Sequence, residues 1–221
     1  MRGSRLRRVG AVGWSDLAAK ALLFLLLLGA VLWPDLSGLK GKATTARLIV
    51  YPLGAAAIPL WFWLVGRRRS GRAAWRVGYP WAADLLITLP WLLDTLGNRL
   101  NLFDTVNWWD DAMHLINWAL LTAGVLVGFV RRDLGRGLFV LVAVGLGGAA
   151  ALCWEVGEYA AFIRHSPELQ TAYTDTLGDL TLGTLGSVVA ALIVHQALRH
   201  PVTHLRQRRG SDTLTDQGDT P

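Results

Sequence analysis

Near the end of a long apolar run the chain reads Trp154-Glu155-Val156-Gly157-Glu158. Two carboxylates three residues apart share one face of a helix. An ionised side chain at the centre of a bilayer costs about 2.5–3.5 kcal/mol on insertion scales, so a pair of them requires partners. Two further motifs can supply them. Asp110 and Asp111 precede another apolar run, with His114 one helical turn beyond Asp110, and Asp175 and Asp179 open a third, four residues apart on one face. Together these are six carboxylates and one imidazole. Like charges held close cannot all stay ionised without compensation, which must come from protons, a metal or a cationic ligand. On this side of the chain's pattern, Arg99 and Arg164 are read as the fixed cations. Carboxylates with a single imidazole form a hard, oxygen-rich ligand set suited to Zn, Mn, Fe or Mg. The candidate metal ligands are therefore Asp110, Asp111, His114, Glu155, Glu158, Asp175 and Asp179. For Asp111 and Asp175 a plain N-cap role is the alternative.

The elements that must position these groups are membrane helices. The 221-residue chain is 52% hydrophobic, carries 11 tryptophans and is only 17% charged, against about 25% in ordinary soluble domains. Apolar runs of about 18–20 residues recur, the length needed to cross roughly 30 Å of hydrocarbon. The expected fold is all-α, a polytopic integral membrane bundle of about six spans, near 17–33, 48–66, 78–97, 112–130, 138–158 and 177–198. The third contains Pro80 and Pro90, which kink membrane helices where neighbours satisfy the freed carbonyls. Glycines of the fifth and sixth (Gly145, Gly147, Gly148; Gly178, Gly183, Gly186) suit close helix approach. Residues 1–16 read as a basic cytoplasmic N-terminus, 17–198 as the membrane domain and 199–221 as a disordered cytoplasmic tail.

Lys and Arg divide 17 to 5 between alternate connections, so the positive-inside rule places both termini in the cytoplasm. The motifs of the fourth, fifth and sixth spans then share the outer face. The net charge of +6 does not indicate nucleic acid, because the basic residues fall between apolar runs. The single cysteine, Cys153, excludes an intramolecular disulfide framework. The basic N-terminus resembles a signal peptide, but no small-residue cleavage site follows, and the first run reads as a retained helix ending at Pro34. Asp84 reads as a lone buried carboxyl with Thr88 one turn on, a candidate proton relay. His195 is expected to snorkel at the inner end of the sixth span, and His200 and His204 to be solvated.

Asp110-x-x-x-His114, Trp154-Glu155-x-x-Glu158 and Asp175-Thr176-x-x-Asp179, in that order, resemble the YjdF-like bacterial inner-membrane proteins over roughly residues 78–195. The resemblance implies a fold, an inner-membrane location and a polar site rather than a reaction. Four function classes stay open: a site-bearing membrane protein that binds a divalent metal near the extracytoplasmic face; a proton-coupled transporter or channel for a cation or small solute; a metal-dependent membrane hydrolase or lipid-modifying enzyme; and a structural or accessory protein. No nucleophile elbow or H-E-x-x-H motif is present. The expected partners are the lipid bilayer and a second membrane chain, a homo-oligomer included.

Overall fold

The computed structural model describes residues 10–36, 38–39, 42–68, 78–131 and 133–199, and every structural statement below concerns these. They are helical, with no strand among them. Helix α1 spans Ala11–Leu32, α2 Thr44–Ala55, α3 Ala57–Arg68, α4 Trp81–Arg99, α5 Leu102–Thr105, α6 Trp109–Phe129, α7 Arg136–Ala161 and α8 Ala172–Arg199. Short 3₁₀ turns follow α1 and join α7 to α8.

Proline sets several of the breaks. The first helix stops at Leu32, with the Trp33 N–H bonded to the Gly29 carbonyl, because Pro34 cannot continue it. Pro59 has no N–H to give the carbonyl of Ala55 and its ring crowds that carbonyl, so α2 and α3 meet at a 48° bend around Ala56 rather than as one straight rod. Four of the described helices are long and apolar enough to cross a membrane: α1, α6, α7 with its following turn, and α8; the bent α2–α3 pair makes a fifth. The 19-residue α4 stands where the third span is expected but is less apolar, since Asp84, Thr88, Asp94 and Asn98 lie along it.

The helices pack as a row. Helix α6 has its largest contact with α8 and its next with α4; α7 covers α8, and α1 and α2 cover α4. Small residues make the α6–α8 contact tight. A Cβ on Gly186 would strike the Leu115 carbonyl, and one on Gly183 would lie 2.8 Å from the Trp118 ring. Thr122 and Ser187 share a 3.0 Å hydrogen bond in the same seam, and Gly147 of α7 packs on the Ser187 hydroxyl. Gly145 and Gly178, by contrast, face open space. Two apolar cores flank this seam: Leu23, Leu27, Tyr51 and Leu92 on the α1–α2–α4 side, and Leu126, Phe139, Ala143 and Ala191 on the α6–α7–α8 side. Phe24, Leu25, Leu141 and Ile193 are more than half exposed, the outward apolar surface of a protein whose solvent is lipid.

Four expectations change. Asp84 is not alone: Lys20 of α1 lies 2.8 Å from its Oδ1, the Tyr79 hydroxyl donates to its Oδ2, and Lys20 also pairs with the fully buried Asp16. Lys20 is therefore an internal counter-ion. His195 does not snorkel; it is buried with its ring 5.4 Å from Phe139. Neither Asp111 nor Asp175 is an N-cap, since α6 begins at Trp109 and α8 at Ala172. The 199–221 tail, with His200 and His204, lies outside the described residues apart from Arg199.

Candidate functional site

Asp110, Glu155, Glu158 and Asp179 gather around the imidazole, from the start of α6, the end of α7 and the start of α8. His114 is the hub. Its Nδ1 lies 2.9 Å from Asp179 Oδ1 and 3.7 Å from Asp110 Oδ1, and its Nε2 lies 3.7 Å from Glu155 Oε1. Asp110 reaches it by helical spacing alone, being four residues earlier in α6. Asp179 and Glu155 reach it because α6 and α8 approach through Gly183 and Gly186, and α7 lies on α8 through Gly147. His114 can form two groups whose ligand atoms all lie within 4.8 Å of one another: with Asp110 and Asp179, and with Glu155 and Glu158.

Burial makes the arrangement costly as it stands. Glu155 and Asp179 are each only 5% exposed. Thr176 donates to Glu155 Oε2 at 3.3 Å, but Glu155 Oε1 is buried with no hydrogen-bond partner. The same holds for His114 Nδ1, which lies close to Asp179 but not in line to donate to it. An orphaned buried polar atom costs about 1–3 kcal/mol, more when charged. One such atom is on the imidazole and one beside it.

Beside this group opens a cavity of about 350 Å³, bounded by α2, α4, α5, α6, α7, α8 and the turns between α7 and α8. Its wall contains Asp110, His114, Glu158, Asp175 and Asp179 of the predicted set. Asp175 is exposed at the edge and makes no ion pair among the described residues. Asp111 is exposed and does not line the cavity. The floor is aromatic: Trp154 of the double-glutamate motif lies 6.0 Å from Trp91 and 6.5 Å from Tyr51, ring centre to ring centre.

The facing wall pairs Asp94 and Asp104 with groups that the sequence motifs did not single out: Arg47, Tyr51, Asn98 and Lys42. Arg47 Nε donates to the Tyr51 hydroxyl at 2.8 Å and stands 3.5 Å from Asp94 Oδ2; Tyr51 donates to that same oxygen at 2.6 Å. Asn98 adds a 3.3 Å contact to it, and Lys42 pairs with Asp104 at 2.6 Å. The cations in the cavity are thus Lys42 and Arg47, where Arg99 and Arg164 were expected. A signal existed: Arg47-x-x-x-Tyr51 and Asp94-x-x-x-Asn98 are polar pairs at helical spacing within apolar runs, as is Asp16-x-x-x-Lys20 in the first.

A second polar cluster, Asp16–Lys20–Asp84–Thr88–Tyr79, sits at the other end of α4. Asp84 and Asp94 are ten residues apart, about 15 Å along the helix. Lys20 donates to Thr88 at 2.9 Å, and Thr88 donates to the Asp84 carbonyl at 2.9 Å.

A family model described as a predicted membrane protein, DUF2238, matches residues 19–200, which takes in all three acidic motifs and every span except the start of α1. No curated protein and no solved structure matches the chain.

Proposed function

We propose, from the premise that this chain belongs to the DUF2238 family of predicted membrane proteins, that it holds a divalent metal ion at its outer face between His114, Glu155 and Glu158. The observation that carries this reading is the unpartnered Glu155 Oε1, buried 3.7 Å from His114 Nε2, with Glu158 in ligand reach of the same imidazole. In this reading Nε2 and the two glutamates are the ligands, at the 2.0–2.2 Å typical of zinc with nitrogen or oxygen after a small inward movement. Asp179 and Asp110 face the opposite nitrogen and set the ring's orientation and basicity, the role carboxylates play behind metal-bound histidines. A dication would offset the excess of negative charge that protons must otherwise cover. Asp175 is a reserve carboxylate at the rim, and Asp111 has no part.

The topology that goes with it has six spans, α4 counted as one, with both termini in the cytoplasm of a bacterial inner membrane. The Lys and Arg bias supports it. Elemental analysis of detergent-purified protein tests the metal: we expect about one equivalent, the occupancy of a single site, in the native chain and near none in Glu155→Gln/Glu158→Gln. Equal content in both would remove the proposal.

A second reading, a proton-coupled carrier, draws on the Asp16–Lys20–Asp84 cluster. It puts protonatable carboxylates at both ends of α4, with Pro90 between them. Flux into proteoliposomes that follows a proton gradient and is lost in Asp84→Asn would support it over a static metal site.

A further inference from the structure

Below the polar cavity lies a second, apolar cleft of about 410 Å³, walled by α4, α6 and α7. The two share Trp91, Trp118, Leu121 and Trp154, so the spaces lie on either side of one aromatic sill. Beyond the sill the cleft wall is Ile87, Val125, Leu146 and Ala150. Helices α4 and α7 make little contact apart from the Trp91–Trp154 rings, so the cleft opens sideways at hydrocarbon depth. A void of this size in a close-packed bundle forfeits dispersion contacts unless something apolar fills it. An occupant that reaches both spaces must be amphiphilic, with a chain in the cleft and a head in the cavity.

The charges select the head. Lys42 and Arg47 already face Asp104 and Asp94. Glu168 and Asp175, which line the same cavity, make no ion pair among the described residues. Glu168, outside the spans, is held above the ordinary carboxylate range by its partial burial and then by the Asp175 charge. Two buried groups on the cavity wall also lack partners, the donor Trp91 Nε1 and the acceptor Asn117 Oδ1. A phosphate or ester oxygen answers the first, and an ammonium the second.

We propose that the cavity and the adjoining cleft together bind a bilayer aminophospholipid, its acyl chain between α4 and α7 and its ammonium against the acidic wall. The inference stands whether or not the His114 group holds a metal. It selects against anionic phospholipids, which would add negative charge to a wall already dominated by carboxylates.

Photoactivatable phosphatidylethanolamine and phosphatidylglycerol, each with a diazirine in one acyl chain, test it in vesicles holding the two lipids in equal amount. The full chain is irradiated and the labelled peptides are mapped. Peptides of the cleft wall around Leu121 and Ala150 should label about threefold more with the amine lipid, the ratio expected of one partly exposed ion pair. Labelling of the outward faces at Phe24 and Leu141 should not distinguish the two probes. Ala150→Trp, a substitution at an exposed residue on the cleft wall, should remove the cleft labelling and leave the outward labelling unchanged. Equal labelling of the cleft by both probes, preference for the glycerol lipid, or cleft labelling that survives Ala150→Trp would each overturn the proposal.

Discussion

Lys20 shows how one side chain can carry a buried cluster. It is the described cation that meets both Asp16 and Asp84, which are 0% and 1% exposed. Replacing it with an apolar side chain strands two carboxylates, and breaking a buried pair by removing one partner costs about 3–5 kcal/mol. Lys20→Met should therefore lower the thermal midpoint in detergent by several degrees. Adding Asp84→Asn should recover part of the loss, because it removes one of the stranded charges. A midpoint unchanged in Lys20→Met would mean that the aspartates stay neutral without it. At the other end of α4, Asp179→Asn separates the two nitrogens of His114. If Asp179 acts behind the imidazole, zinc affinity in competition titrations should fall about 10–100-fold without being abolished. A loss as complete as that of Glu155→Gln/Glu158→Gln would make Asp179 a direct ligand.

Among the elements, α8 has the least room for change, because its glycines set its distance from α6. Gly186→Val would drive a branched side chain into the Leu115 carbonyl, which is backbone and cannot turn aside. Overpacking of this kind costs about 1–3 kcal/mol. The same change should weaken metal binding, since it moves Asp179 away from His114. Gly178→Ala, on the same helix but facing open space, should be neutral or stabilise by up to about 1 kcal/mol through helix propensity. Thermal midpoints of the two variants check both statements, and similar midpoints would contradict the packing account. Small-residue spacing in the sequence marks both glycines alike; only the neighbour decides which one matters.

At the scale of the molecule the orientation places the cavity. The proposed six spans with both termini inside would put the α7–α8 turn outside and the α6–α7 turn inside. In a Cys153→Ser background, Ser166→Cys should react with an impermeant maleimide in intact cells, and Gly135→Cys only after permeabilisation. The reverse pattern would turn the site toward the cytoplasm. The amino-acid sequence by itself determined that the chain is helical and membrane-embedded, and it marked three of the helix ends that carry acid. Both follow from local quantities: run length, mean hydropathy, and i,i+3 or i,i+4 spacing. Tertiary structure alone decided which carboxylates meet His114, that Asp111 faces away, that Lys42 and Arg47 complete the cavity, and that Asp84 has Lys20 for a partner. These depend on which helix faces oppose one another across gaps of 20 to 70 residues. That is fixed by packing at single glycines and by the bend at Ala56, and a periodicity read along one strand of text carries no information about the neighbour.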